Sequence, residues 1–253
     1  MISTPNYFYI YYIFFIRIIQ HKKWLSSPQQ AMEFSPLKYN LALKGGTAIN
    51  LTIFNLPRLS VDIDLDFTTN SSREEMMQKR QRIKELLVNY LEKNGYKLDK
   101  DTREHHALDS LKASYINAGG NPDTIKIEIN YMLRAHVYEP VIVKTQDYGL
   151  IGEVEIRAIN PIEIFGSKLV ALMTRSTPRD LYDFLYMINA NIFNEIEINK
   201  MKKCSYIQST LFQYRYLFIY CSKWFHNYLI NSKKPRSTRD PGVFHHSHSN
   251  TQM

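Results

Sequence analysis

Hydrophobic and polar positions divide the chain into stretches of different period. Ser60 to Phe67 alternates strictly, with Val61, Ile63, Leu65 and Phe67 apolar and Asp62, Asp64 and Asp66 polar, which is the period of a half-buried strand. Upstream, the largely apolar run Tyr39 to Leu43 leads to Gly45-Gly46-Thr47. Ile49, Ile53 and Phe54 then recur at helical spacing until Leu56-Pro57, which predicts a short helix entered directly from the glycines. Residues 73–94 read as an amphipathic helix with Met76, Met77, Ile83, Leu86, Leu87, Tyr90 and Leu91 on its apolar side and Asn94-Gly95 as its stop. Asp109 to Ile116 and Thr124 to Met132 predict two strands. The turn-rich Ala118–Asp123 between them makes a hairpin. Short strands are expected at 141–144 and 154–159. From Pro161 the period lengthens: Ile162, Phe165, Leu169, Leu172 and Met173 predict a helix, interrupted at Thr177-Pro178, with a second helix from about Arg179.

The ends of the chain differ from this middle. Tyr7 to Ile19 is a dense aromatic and β-branched run. It is shorter than the roughly 20 residues a membrane-spanning helix needs, and it lacks the basic start and small-residue cleavage site of a signal peptide. A buried strand or packed helix is the plain expectation, with an interfacial anchor as the alternative. Asn, Ile, Lys and Tyr dominate from about 190 to 230. Residues 232–253 are rich in Lys, Arg, Ser and His, with little to bury, and are expected to be disordered; His245, His246 and His248 within them are spaced like a metal-binding tract. The expected organisation is an aromatic-rich extension (1–37), a core (38–160), a helical region (161–230) and a basic tail (231–253).

Charge follows the same division. The net charge is +8, from 32 basic and 24 acidic residues. Residues 38–190 hold 20 of each sign, so the basic excess lies in the flanks and gives no argument that the core binds nucleic acid. Two cysteines, Cys204 and Cys221, cannot form a disulfide framework and fit a reducing, cytoplasmic setting.

Candidate chemistry is concentrated in four short blocks. Asp62, Asp64 and Asp66 share one face of their strand, with neighbours roughly 6.5 Å apart. Polar residues on a half-exposed strand need no special reason, but such a face usually mixes Thr, Lys and Ser. Three carboxylates in succession call for a cation, and oxygen ligands of this kind suit Mg²⁺. Gly45-Gly46-Thr47 stands at a loop entering a helix, where bare backbone, free N–H groups and the Thr47 hydroxyl can cradle a phosphate. It is not a Walker loop, since no Gly-Lys-Ser/Thr follows. Ile125 to Asn130 alternates too, and Glu128 beside Asp62 and Asp64 makes a three-carboxylate cluster able to hold two metals. Lys168 and Arg175 fall about 20° apart on one helix face, where Lys168 can reach triphosphate oxygens. Arg179 and Asp183 are spaced for a helix salt bridge, and Asp180 and Asp183 lie near a helix start, where carboxylates suit the dipole.

Together these blocks resemble a known family. Lys44-Gly45-Gly46-Thr47-Ala48, then Leu56-Pro57-Arg58-Leu59-Ser60-Val61-Asp62-Ile63-Asp64-Leu65, then Lys168-Leu-Val-Ala-Leu and Arg179-Asp180-Leu-Tyr-Asp183 look like the AbiEii/AbiGii-type nucleotidyltransferase toxins of the DNA polymerase β-like superfamily. The resemblance covers roughly residues 38–190. It implies an α+β fold, a mixed or antiparallel sheet flanked by helices with a helical C-terminal part. It implies transfer of a nucleotide from an NTP with Mg²⁺, two ions being expected. Carried over, Gly45, Gly46, Thr47, Arg58, Ser60, Lys168 and Arg175 are the nucleotide-binding positions. Asp62, Asp64 and Glu128 are the metal carboxylates. Asp62, Asp64, Lys168, Asp180 and Asp183 are the catalytic positions. The implied acceptor is RNA, a tRNA 3′ end first, in a toxin–antitoxin or phage-defence setting with a separate antitoxin protein. Transfer onto a protein side chain is the alternative, as is a shortened remnant that binds NTP or a partner without turnover.

Overall fold

The computed structural model describes residues 40–54, 62–99, 103–116, 120–145, 155–175 and 177–211. The N-terminal aromatic run, Cys221, the segment 212–230 and the basic tail with its histidines lie outside the described residues.

In chain order the elements are β1 (Leu41–Lys44), α1 (Gly45–Thr52), β2 (Ile63–Phe67), α2 (Arg73–Lys93), β3 (Lys97–Leu98), β4 (Arg103–His105), β5 (Leu108–Ile116), β6 (Pro122–Asn130), β7 (Val141–Lys144), β8 (Glu155–Ala158), α3 (Pro161–Arg175), α4 (Pro178–Ala190) and α5 (Glu195–Leu211). The strands form one mixed sheet in the order β3-β5-β6-β2-β1-β8-β7, with β4 also on β5. β1 is antiparallel to β2 and parallel to β8, while β2 is parallel to β6. The fold is therefore α+β, as the sequence implied. The expected hairpin is β5–β6, in continuous register from Leu108↔Asn130 to Ile116↔Pro122. The two-residue β3 and three-residue β4 were not anticipated, because strands this short carry no readable alternation.

Register makes the two faces of the sheet chemically different. Lys44 lies opposite Asp64 on one side, and Asp64 beside Glu128 on the other. Ile63, Leu65, Phe67, Ile127, Ile129 and Leu111 occupy the opposite face and are essentially inaccessible to water. Each such buried aliphatic side chain contributes about 1.5–3 kcal/mol. At the β5–β6 end, α2 covers this apolar face. Ser72 caps its start by accepting the Glu75 N–H (3.1 Å), and its end is closed by Asn94 and by Gly95 at φ +80°. Arg80 reaches from α2 to the Asp109 carboxylate, with contacts of 2.6, 3.1 and 3.2 Å.

Two further contacts hold α3. Glu163, in its first turn, accepts hydrogen bonds from the Val137 and Tyr138 N–H groups at 3.1 and 3.3 Å, and its other oxygen lies 2.9 Å from His136 Nδ1. The β6–β7 connection is thereby tied to the helix. On the other side, Gly166 meets the Cys204 Cβ and the α5 backbone, leaving no slack for a side chain. Cys204 is buried, and burial pushes its thiol up to about 11, so it serves as packing. α4 begins after Thr177, whose hydroxyl accepts the Asp180 N–H, with Pro178 at the first helical position. Among the described residues, no helix is long and apolar enough to cross a membrane.

Candidate active site

The glycine loop and the acidic strand meet because β1 and β2 are neighbours. β1 ends at Lys44, opposite Asp64, and the chain turns at once into α1. Gly45 makes that turn at φ +72°, and a Cβ placed there would overlap the Asp64 Oδ2. Only glycine satisfies both the dihedral and the space. No side chain caps the α1 N-terminus and no acidic residue stands in its first turn, which leaves its positive end to an anion. The Thr47 hydroxyl is buried and donates to the Asp62 carbonyl at 2.7 Å. In this structure Thr47 therefore fastens α1 to the residue that opens the acidic strand.

The three aspartates do not share one environment. Asp66 is buried and takes the Lys44 Nζ at 2.5 Å, so a neighbouring cation already balances it. Asp64 is different. Burial pushes its carboxyl above the ordinary range; Lys44 pulls it down, Glu128 and Asp62 push it further up, and Lys168 pulls down least. Asp62 and Glu128 are thus electrostatic neighbours that disfavour the charge on Asp64. Glu128 is bonded to Lys126 at 2.7 Å. Lys126 in turn holds its proton more tightly than usual, first through the Glu128 hydrogen bond and then, against some burial, through the charges of Glu128, Asp62 and Asp64.

The cations come from the helical region. Lys168, buried on α3, places Nζ 2.9 Å from Asp183 and 3.8 Å from Asp180, both on α4. Arg175, at the end of α3, grips Asp180 through Nε (2.6 Å) and Nη2 (3.0 Å), while the Thr177 hydroxyl donates to the same carboxylate at 2.6 Å. Asp180 is fully buried. Burial pushes its carboxyl up, but the Arg175 and Thr177 hydrogen bonds and the Arg175 and Lys168 charges outweigh that and hold it below the ordinary range. Both Lys168 and Arg175 feel Asp64 electrostatically. The Lys168–Asp180–Asp183–Arg175 group is a charge network, buried except for the exposed Arg175, that carries two cations to the edge of the carboxylate site.

The structure therefore brings Gly45, Gly46, Thr47, Asp62, Asp64, Glu128, Lys168 and Arg175 around one region, with Asp180 and Asp183 behind the cations. Arg58 and Ser60 lie outside the described residues. Lys44 and Lys126 were missed. Lys126 was visible on the Glu128 face, but only the register shows that both lysines border Asp64. Among the described residues, no three potential ligand groups stand close enough to enclose a metal ion. The donor set still fits magnesium, which takes one or two carboxylates and completes its shell with phosphate and water.

Gly45→Ala tests the convergence. It is expected to cost about 1–3 kcal/mol, from the left-handed dihedral together with the Asp64 overlap. Gly95→Ala, at φ +80° with nothing within 4 Å of its Cβ, bears the dihedral cost alone. Chemical denaturation of both should show the larger loss at Gly45. Equal losses would mean that the loop does not press on Asp64.

No curated protein matches the chain significantly. MenT4, a nucleotidyltransferase toxin from Mycobacterium tuberculosis H37Rv, is similar in structure with a TM-score of 0.48 at 17% identity, over 67% of this chain and 56% of that one; the chain thus spans little more than half the length of that protein. The family model described as nucleotidyl transferase AbiEii toxin, type IV toxin–antitoxin system, matches residues 29–227, and the chain belongs to that family.

Proposed function

We propose that the chain is a magnesium-dependent nucleotidyltransferase toxin that moves a nucleotide from an NTP to the 3′ end of an RNA acceptor, tRNA first. The observation that carries this is the fit of the Gly45 backbone against the Asp64 carboxylate. It sets an uncapped helix N-terminus beside Asp64, whose carboxyl is held above the ordinary range by burial and by the charges of Glu128 and Asp62. A triphosphate with its cation suits both.

Asp62 and Asp64 would hold divalent metal, with Glu128 as the third carboxylate. Bound there, magnesium would offset triphosphate charge and make an acceptor hydroxyl easier to deprotonate. The rest follows from the chain itself. Gly45 and Gly46 let triphosphate oxygens approach the α1 N–H groups. Arg175, with its side chain 60% exposed, would offer its charge to the leaving pyrophosphate from its place on Asp180, and Lys168 adds a point charge behind it. The acceptor hydroxyl gives its proton to a carboxylate of the site or to water, and its oxygen bonds to the α-phosphorus as the bond from that phosphorus to the pyrophosphate oxygen breaks. Asp180 and Asp183 hold Lys168 and Arg175 in place and are positioning residues on this reading.

The family's type IV setting supports a toxin role, counteracted by a separate antitoxin, in the cytoplasm and in phage defence. Incubating the protein with each labelled NTP, Mg²⁺ and either total tRNA or total protein tests the acceptor. Label on tRNA is the expected result. Label on protein would move the reading to side-chain modification, and nucleotide binding without transfer would make the chain a binding module.

A further inference from the structure

The ion pairs around the site differ in how firmly they are held. Lys44–Asp66, Lys168–Asp183 and Arg175–Asp180 each end on a carboxylate side chain at most 6% exposed. Lys126 and Glu128 are joined at 2.7 Å, but their side chains are 45% and 28% exposed. Charges this open to water and salt hold one another weakly. The two residues stand two apart on β6, so they share the sheet face of Asp64, which lies beside Glu128 in register. On the other side Ser110 is opposite Glu128, and Lys112, opposite Lys126, has its ammonium 3.6 Å from Asp99. Lys126 is thus the cation seated on Glu128, and the charges of Asp62 and Asp64 act on the same ammonium. Among the described residues no three ligand groups stand close enough to enclose a metal ion, so loading one requires a carboxylate to move. Glu128, with the longer side chain and the weaker partner, is the one placed to do so.

We propose that Lys126 holds Glu128 away from the metal position and yields it to a divalent cation, so that this lysine sets how tightly the site takes its metal. The inference rests on the reading of Asp62, Asp64 and Glu128 as metal carboxylates. An ammonium and a divalent ion compete for the same Glu128 oxygens. With Lys126 seated there, a cation beside Asp62 and Asp64 meets a like charge and lacks a ligand; release of Glu128 removes both obstacles. Lys126 acts through Glu128 and is a positioning residue. Lysine suits the task, since a point charge on a flexible stem exchanges its partner for water more readily than a bidentate guanidinium does.

The experiment is Mn²⁺ binding by the full chain without nucleotide, followed by the electron paramagnetic resonance of the free ion. Mn²⁺ takes the same oxygen ligands as Mg²⁺, and the measurement needs no turnover. Lys126→Met is expected to bind Mn²⁺ about tenfold tighter than the unaltered chain. Lys126→Arg, which keeps the charge, should bind no tighter. In a Glu128→Gln background the gain from Lys126→Met should fall below about threefold, whether or not binding itself weakens. Asp64→Asn should weaken binding with or without Lys126→Met. A gain below about threefold in Lys126→Met, with binding still lost in Asp64→Asn, would overturn the proposal and leave the metal site standing. No binding by either protein, or binding indifferent to Asp64→Asn, would overturn the metal reading and the proposal with it. A gain undiminished by Glu128→Gln, or tighter binding by Lys126→Arg, would also overturn it, since Lys126 would then not act by occupying Glu128. Melting in EDTA reads the structural share of the pair: a lower Tm in Lys126→Met without tighter Mn²⁺ binding would assign Lys126 to stability alone.

Discussion

Asp64→Asn is expected to reduce nucleotide transfer by about 10²-fold or more while raising, rather than lowering, Tm at neutral pH. The first effect follows from removing the carboxylate on which the glycine loop, Glu128 and the two helical cations converge. The second follows from the direction of its titration. The folded Asp64 carboxyl binds its proton more tightly than an ordinary carboxyl, chiefly because of burial and, against Lys44, because of Glu128 and Asp62. Below the ordinary carboxylate range the group is protonated in both folded and unfolded chains and costs nothing. As pH rises through the interval between the ordinary and the raised value, the folded state holds the extra proton, so stability falls. Above that interval the penalty is complete. An uncharged Asn escapes it, so the gain in Tm should be larger at pH 7 than in acid and shrink as the pH is lowered into the ordinary carboxylate range. Calorimetric melting at several pH values, with the transfer assay alongside, checks both halves. A lower Tm at pH 7 would identify Asp64 as an anchor of the fold instead of a strained functional group.

The largest loss of stability is expected at Asp109. Asp109→Ala removes the carboxylate partner of Arg80, which is 8% exposed. Stranding a buried cation in this way costs about 3–5 kcal/mol. The pair itself need not be strongly stabilising. Replacing both members, as Arg80→Met with Asp109→Leu, should recover much of the loss, since buried ion pairs often exchange for apolar pairs at little cost. Urea denaturation of the two single variants and the double variant measures the coupling. Additive losses would show that Arg80 and Asp109 act independently, against the bidentate geometry seen here.

Both expectations depend on residues whose types were legible and whose partners were not. Alternation in Ile63–Phe67 and in Ile125–Asn130 fixed which side chains faced together, and both strands and the β5–β6 hairpin lie close to where the pattern placed them. The Thr177-Pro178 break, the Asn94-Gly95 stop and the helix entered from the glycines were equally readable, because caps and special dihedrals are local chemistry. The same local reasoning treated Asp62, Asp64 and Asp66 alike. It could not see that Lys44 closes off Asp66 while Asp64 stays half-buried among other carboxylates, a distinction made by the neighbouring strand. Arg179 and Asp183 were spaced for a pair along α4, yet Asp183 holds Lys168 on another helix.

From its order of residues alone, then, the chain determined its elements, its family resemblance and the identity of its reactive groups. Periodicity and turn chemistry act over a few residues and leave direct traces in the sequence. Tertiary structure decided which carboxylate is strained and that Lys168 is buried against α4 while Arg175 stays at the surface. Those outcomes turn on strand register and on helices packed from distant segments, where a charge's surroundings are set by neighbours across space.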